Sequence, residues 1–254
     1  MTGSGRLASV MDDAVAGVIE RLRGAVREWY GPDARLAPGT PVRHRPWSVH
    51  LLPTVVTPGR EIRLVVKIPV WDEAPDLAAA IAAGPQAATL AEFEALRQIE
   101  ATVAGDMRFA SVRAVGHLGE CNALVTERME AVPLRSLRRG REGALERAGA
   151  LVRRFHEEIG GAHDVAADHA LVARMTAGPA PPPKAPASLA GASEAARRAA
   201  AGLVGRKMRV AVTHGDLGPS NVLVAPDGRV AVLDPNMVEA PVEADLAKLA
   251  VALR

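Results

Sequence analysis

His214, Asp216, Asn221 and Asp234 fall inside one stretch, VTHGDLGPSNVLVAPDGRVAVLDPN (212–236), and their types suit a narrow range of chemistry. A carboxylate held in an irregular loop can take a proton from an attacking hydroxyl. An amide oxygen beside a second carboxylate makes a pair of hard donors of the kind Mg²⁺ prefers. Gly215, Gly218 and Pro219 force HGDLGPSN into a compact loop. NVLVAPDGRVAVLD then reads as a β-hairpin turned at Asp227-Gly228. With those two residues in the turn, Pro226 faces Arg229, Val222 faces Leu233, and Asn221 lies opposite Asp234. Directly opposed residues have Cβ atoms about 4.5–5.5 Å apart. Taken singly, each of these is an ordinary strand or turn residue. Together they place a proton acceptor next to an oxygen-rich cation site.

In phosphoryl transfer a protein mainly positions groups and neutralises charge, so a base and two metal ligands are most of the apparatus. HGDLGPSN followed by VLD (232–234) resembles the catalytic and metal-binding loops of the aminoglycoside phosphotransferase and choline kinase-like family, which has the protein-kinase-like fold. The resemblance implies Asp216 as catalytic base, Asn221 and Asp234 as Mg²⁺ ligands, and His214 as a brace of the loop. PVEADLAKL (241–249) resembles a later element of that family, in which Asp245 supports the loop without touching substrate. On the same footing Lys67, in RLVVKIPV, pairs with Glu92 on the next helix and faces the α- and β-phosphates of ATP. Glu94 is the rival, and the family's glutamate-to-leucine spacing selects Glu92 with Leu96. LVTERMEAVPL (124–134) resembles the family's hinge, so the Glu127 carbonyl and Met129 amide meet the adenine edge. No G-x-G-x-x-G covers the phosphates; RHRPWS (43–48), with Ser48 and backbone amides, is the candidate substitute. His156 is read as core or brace.

The elements that hold these residues follow from periodicity. Val15, Val18, Ile19, Leu22, Val26 and Trp29 make one stripe of a helix over 10–30. WSVHLLPTVV and IRLVVKIPV read as a hairpin turned at Pro58-Gly59. A helix over 88–104 carries Leu90, Phe93, Leu96 and Ile99 on one face. Two strands follow in 109–130, a helix in 142–160, and a last helix from Glu243. Strands come first and helices later, which predicts an α+β fold. With the resemblance, this becomes a two-lobed kinase-like fold: a sheet-based first lobe and a mainly helical second lobe with an embedded β-hairpin. The expected boundaries are a helical extension at 1–40, the first lobe at 41–129 and the second at 130–254, with a mobile Pro/Ala-rich insert at 176–193. Relatives usually continue well beyond the Asp245 element. The expectation is therefore a short second lobe, with part of its acceptor wall absent, lying outside the given sequence, or supplied by a second copy or partner.

Composition removes other classes. Thirty-one Lys and Arg balance 29 Asp and Glu for a net charge of +2, and aromatics are 3% of the chain, which leaves no stacking platform for single-stranded nucleic acid. LRRGR (137–141) reads as a solvated basic face. A lone cysteine, Cys121, supports neither a disulfide framework nor a zinc site. Asp12 and Asp13 interrupt any leader, and no run reaches the 18 apolar residues of a membrane span, so the expectation is a cytoplasmic protein with no membrane partner. The expected activity is an ATP- and Mg²⁺-dependent phosphotransferase acting on a hydroxyl of an aminoglycoside, sugar or amino alcohol. The alternative is a degenerate kinase-like module that binds nucleotide and regulates. The interval between Asp234 and Asp245 lacks Ser, Thr and Tyr and holds two prolines, which excludes a phosphorylated peptide-docking segment.

Overall fold

The structure is a computed structural model that describes residues 4–176, 194, 195 and 198–251. Apart from Thr176, the Pro/Ala-rich insert lies outside the described residues. The first elements are α1(Ser4–Tyr30), β1(Arg35–Leu36), β2(Val42–Arg45), β3(Ser48–Leu51), β4(Thr54–Thr57), β5(Arg60–Pro69), α2(Leu77–Ala82) and α3(Ala87–Val103). Then come β6(Ala114–Leu118), β7(Ala123–Glu127), β8(Val132–Pro133), α4(Arg141–Arg154), β9(His163–Ala166) and α5(His169–Thr176). β10(Lys207–Thr213), β11(Val222–Val224), β12(Val230–Val232), β13(Val238–Pro241) and α6(Glu243–Val251) complete the described elements. They divide into two compact units, Met1–Val132 with Val224–Leu233, and Pro133–Leu223 with Asp234–Arg254.

The first unit is built on an antiparallel sheet of seven strands. β5 is its axis. One edge of β5 pairs with β4 and then β3, and the other edge pairs with β7. Along β5, Ile62, Leu64, Val66 and Ile68 are buried while Arg63, Val65 and Lys67 alternate with them. That period of two sends Lys67 to the face away from the core. Val18, Leu22 and Val26 of α1 are 1%, 0% and 0% exposed and pack on the core face. Burying such a side chain typically contributes about 1.5–3 kcal/mol. The single strand expected over 47–56 is two strands, because Leu52-Pro53 bends the edge and the Pro53 carbonyl accepts from Leu64 N–H at 2.9 Å.

The stripe of α3 also differs from expectation. Leu90 is 43% exposed, while Thr89, Ala95, Leu96, Ile99 and Val103 are buried. Thr89 turns inward because its hydroxyl donates to Asn122 Oδ1 at 2.8 Å. That bond compensates the buried hydroxyl, so Thr89 takes the inward place expected of Leu90 while Leu96 and Ile99 are buried as expected.

The second unit holds α4, α5, α6 and a three-stranded sheet in the order β13-β10-β9. This sheet adds to the single hairpin expected in a mainly helical second half. β9 and β13 are short and mostly exposed, so neither shows an apolar alternation. α4 runs on into a π-helical turn, Phe155–Ile159, which buries Phe155 and His156. Gly160 ends that turn against β10: a Cβ there would lie 2.3 Å from the Val212 carbonyl oxygen.

Candidate active site

The loop 214–221 leaves β10 under tight control. Thr213 Oγ1 donates to the Val238 carbonyl at 2.8 Å, and Asn236 N–H donates to the His214 carbonyl at 2.7 Å. Gly215 adopts φ +77, where a side chain would be strained, and any Cβ would meet Val238 Cγ2 at 3.0 Å. Leu217 is fully buried beneath the loop. This anchor holds the neighbouring Asp216 carboxylate at the exposed surface.

Asp216 is gripped at both oxygens. Asn221 Nδ2 donates to Oδ2 at 3.1 Å and to the Asp216 carbonyl at 2.9 Å. Lys248 Nζ lies 3.2 Å from Oδ1 and donates to the Gly215 carbonyl at 2.6 Å. Sequence reasoning missed Lys248. The signal was its place three residues after Asp245 on one helix, which puts both on the same face.

Asp245 is 1% exposed and accepts three hydrogen bonds: from His156 Nε2 at 2.9 Å, His214 N–H at 2.8 Å and Gly215 N–H at 3.0 Å. Burial pushes its carboxyl up, but the His156 hydrogen bond and the two loop N–H groups outweigh this and hold it below the ordinary carboxylate range. His214, 2% exposed, accepts the Asp216 N–H on Nδ1 at 3.3 Å, and its ring lies 6.5 Å from that of Phe155. His156 and His214 thus reach the loop by different routes, one through Asp245 and one directly.

The hairpin departs from the expected register. Its loop is Pro226-Asp227-Gly228, closed by Gly228 N–H to the Ala225 carbonyl at 2.9 Å and Ala225 N–H to the Arg229 carbonyl at 2.9 Å. Gly228 at φ +84 makes the bulge that follows such a turn. Asp227 secures it by accepting from Arg229 N–H at 3.0 Å and Nε at 2.8 Å. Ala225, not Pro226, therefore pairs with Arg229. The one-residue offset removes the direct opposition of Asn221 and Asp234. Asp234 instead leaves the strand in the left-handed region at φ 55, a conformation that aspartate tolerates better than most residues.

In the first unit, Lys67 Nζ donates to both oxygens of Glu92 at 2.9 Å, with side chains 21% and 14% exposed. Glu94 points to solvent. RHRPWS forms the β2–β3 hairpin around Pro46-Trp47, with Trp47 68% exposed at the turn. Ser48 is 7% exposed, and its hydroxyl lies 2.9 Å from His50 Nε2. His50, also missed in the sequence, stands directly across from Lys67 in the ladder. Glu127 ends β7, and its carboxylate accepts from Tyr30 Oη at 3.0 Å and Arg113 at 2.7 Å. Burial, with the Glu127 charge adding to it, pushes the Tyr30 phenol upward. Met129 follows β7, half-buried.

The oxygen donors of Asn221 and Asp234 suit Mg²⁺. Among the described residues no three His, Cys, Asp or Glu side chains form a metal cluster. Mg²⁺ bound with a nucleotide typically takes only one or two protein ligands. The bond from Asn221 Nδ2 to Asp216 also turns its amide oxygen away from that carboxylate.

Three comparisons bear on identity. The model of the phosphotransferase enzyme family (APH) matches residues 54–254. A choline/ethanolamine kinase family protein from Mesorhizobium loti superposes with a TM-score of 0.54 at 14% identity, covering 92% of this chain and 70% of that one. The choline kinase LicA from Streptococcus pneumoniae gives 0.52 at 13% identity over 93% and 75% of the two chains. A LicA structure in complex with AMP gives 0.53 at 12% identity, with the same coverage. At these identities the likeness establishes a mixed α+β kinase-like fold with an antiparallel N-terminal sheet. No curated protein sequence matches. Among the described residues no helix is long and apolar enough to cross a membrane.

Proposed function

The chain belongs to the phosphotransferase enzyme family and is a small-molecule kinase of that family; from this premise we propose that it moves the γ-phosphoryl group of ATP to a hydroxyl of an aminoglycoside, sugar or amino alcohol. The observation that carries the reading is an exposed carboxylate, Asp216, held at both oxygens on a loop whose backbone is fixed by a buried carboxylate, Asp245. That is the arrangement a general base needs: accessible, oriented and unable to wander. In the proposed reaction the acceptor oxygen bonds to the γ-phosphorus while its proton passes to Asp216. The bond from the γ-phosphorus to the β–γ bridging oxygen breaks, and ADP leaves with that electron pair.

Other roles are assigned on the same reading. Lys67, oriented by Glu92, meets the α- and β-phosphates; Ser48 and the β2–β3 turn face the phosphates; the Glu127 carbonyl and Met129 amide take the adenine edge. Asn221 and Asp234 are the residues that would hold Mg²⁺, which when bound supplies positive charge to the phosphate oxygens. A small acceptor is favoured over a peptide because much of the segment between Asp234 and Asp245 is β13, paired with β10 from Val210↔Pro241 to Thr213↔Val238. Four of the ten residues between the two aspartates are thus tied to β10, which leaves too short a remainder for a long free activation segment.

Asp216→Asn tests the reading. It keeps the shape and removes the proton acceptor, so turnover should fall about 10²–10⁴-fold with nucleotide affinity retained. ATP consumption against a panel of aminoglycosides, sugars and amino alcohols supplies the assay. Wild-type turnover by the variant would refute the base.

A further inference from the structure

We propose that Lys248 is a positioning residue for phosphoryl transfer, holding Asp216 in the orientation from which the carboxylate takes the acceptor's proton. The proposal rests on the reading of Asp216 as base. An exposed aspartate is free to turn about both side-chain torsions. Here Lys248 Nζ sits 3.2 Å from Oδ1 and Asn221 Nδ2 sits 3.1 Å from Oδ2. One donor on each oxygen fixes the carboxylate plane, which a single donor does not.

Helix α6 serves the loop with two opposite charges. Asp245 accepts the loop's N–H groups from His214 and Gly215. One turn later Lys248 takes the Gly215 carbonyl at 2.6 Å together with the Asp216 carboxylate. Both contacts depend on Gly215 at φ +77, which sends its N–H toward one residue of the helix and its carbonyl toward the other. The two brackets differ in burial: Asp245 is 1% exposed, whereas the Lys248 and Asp216 side chains are each 52% exposed. An ion pair so open to water contributes little to folding. Its effect is on orientation, where a misplacement of about 1 Å can cost roughly 10²-fold in rate.

The test uses Lys248→Met, Lys248→Arg, Asp216→Asn and the double variant Asp216→Asn/Lys248→Met in the full chain. Turnover of ATP is read with whichever of glucosamine, choline or kanamycin the wild type phosphorylates fastest, or by intrinsic ATP hydrolysis if it uses none of them. Lys248→Met should lower kcat about 10–10²-fold, with KM for ATP and the unfolding midpoint unchanged. Lys248→Arg, which keeps a charged donor, should recover part of the loss. The double variant should be no slower than Asp216→Asn alone, because the effect of Lys248 on rate runs through that carboxylate, its bond to the Gly215 carbonyl serving the same orientation. A Lys248→Met rate within about twofold of wild type overturns the proposal. So does a double variant slower than Asp216→Asn by the full Lys248→Met factor, which would place the lysine's action elsewhere. A fall in the unfolding midpoint matching the loss of rate would make the residue merely structural and overturn it as well. If Asp216→Asn keeps wild-type turnover, the base reading falls first, and that outcome is distinct from the others.

Discussion

Replacing Asp245 with alanine should unfold the protein far more readily than any surface change. Three donors, His156 Nε2, His214 N–H and Gly215 N–H, converge on a carboxylate that is 1% exposed. A buried donor left without an acceptor costs about 1–3 kcal/mol. Partial relaxation and water entry reduce a sum over three, so the expected loss is about 3–5 kcal/mol. Asp245→Asn is milder. Oδ2 takes two of the donors and Oδ1 one, so an amide oxygen on the His156 side keeps two bonds and sets its NH₂ against Gly215 N–H. That arrangement should cost about 1–3 kcal/mol. The dependence on pH follows from the depressed carboxyl. A group whose folded pKa lies below its unfolded value of about 3.9 stabilises fully above that value and loses the contribution as pH falls through the folded one. Urea unfolding in a pH series should therefore show the full gap between wild type and Asp245→Asn at pH 7, closing below about pH 4. An Asp245→Ala loss under about 1 kcal/mol at pH 7, or a gap unchanged into acid, would refute the reasoning.

Two further outcomes are expected. Lys67→Met should raise KM for ATP about 10–100-fold, the loss of one or two charge-assisted bonds, with Glu92→Gln smaller and in the same direction; steady-state kinetics at varied ATP would show an unchanged KM if Lys67 has no part in nucleotide binding. Gly160→Ala should destabilise by about 1–3 kcal/mol, because its Cβ would lie 2.3 Å from the Val212 carbonyl oxygen and 3.0 Å from that of His156. A melting temperature equal to wild type would show that the π-helical turn and β10 separate freely.

Chemistry was easier to read than geometry. HGDLGPSN concentrates polar residues and turn formers between apolar runs, so its loop was legible from residue types alone. Lys67 and Glu92 came from the family resemblance and not from periodicity, and their side chains meet at 2.9 Å. The hairpin was visible but its register was not: Asp227-Gly228 fits a two-residue turn, while the side chain of Asp227 on Arg229 favours the three-residue loop with a bulge. β13 escaped notice because VEAP has two prolines' worth of interruption around it and no apolar alternation, its pairing being set by β10. Leu90 was assigned inward on periodicity, which cannot foresee a buried threonine satisfied by Asn122 thirty-three residues away. Lys248 was hidden for the opposite reason. A lysine on a short amphipathic helix is the most ordinary of residues until its neighbours are known.

The brace of the loop lies later in the chain than everything it supports. Asp245 is 89 residues beyond His156, 31 beyond His214 and 30 beyond Gly215. Synthesis proceeds at about 5–20 residues per second, so the loop leaves the ribosome roughly two to six seconds before its acceptor. During that interval Asp216, Asn221 and Asp234 join a chain that already carries Lys67 and Glu92, yet the N–H groups of His214 and Gly215 lack their buried acceptor. Ordering of the loop is therefore a late event of biogenesis, when α6 docks, and a chain arrested before Asp245 would keep the Lys67–Glu92 pair while Asp216 sits on a loop whose N–H groups lack their buried acceptor.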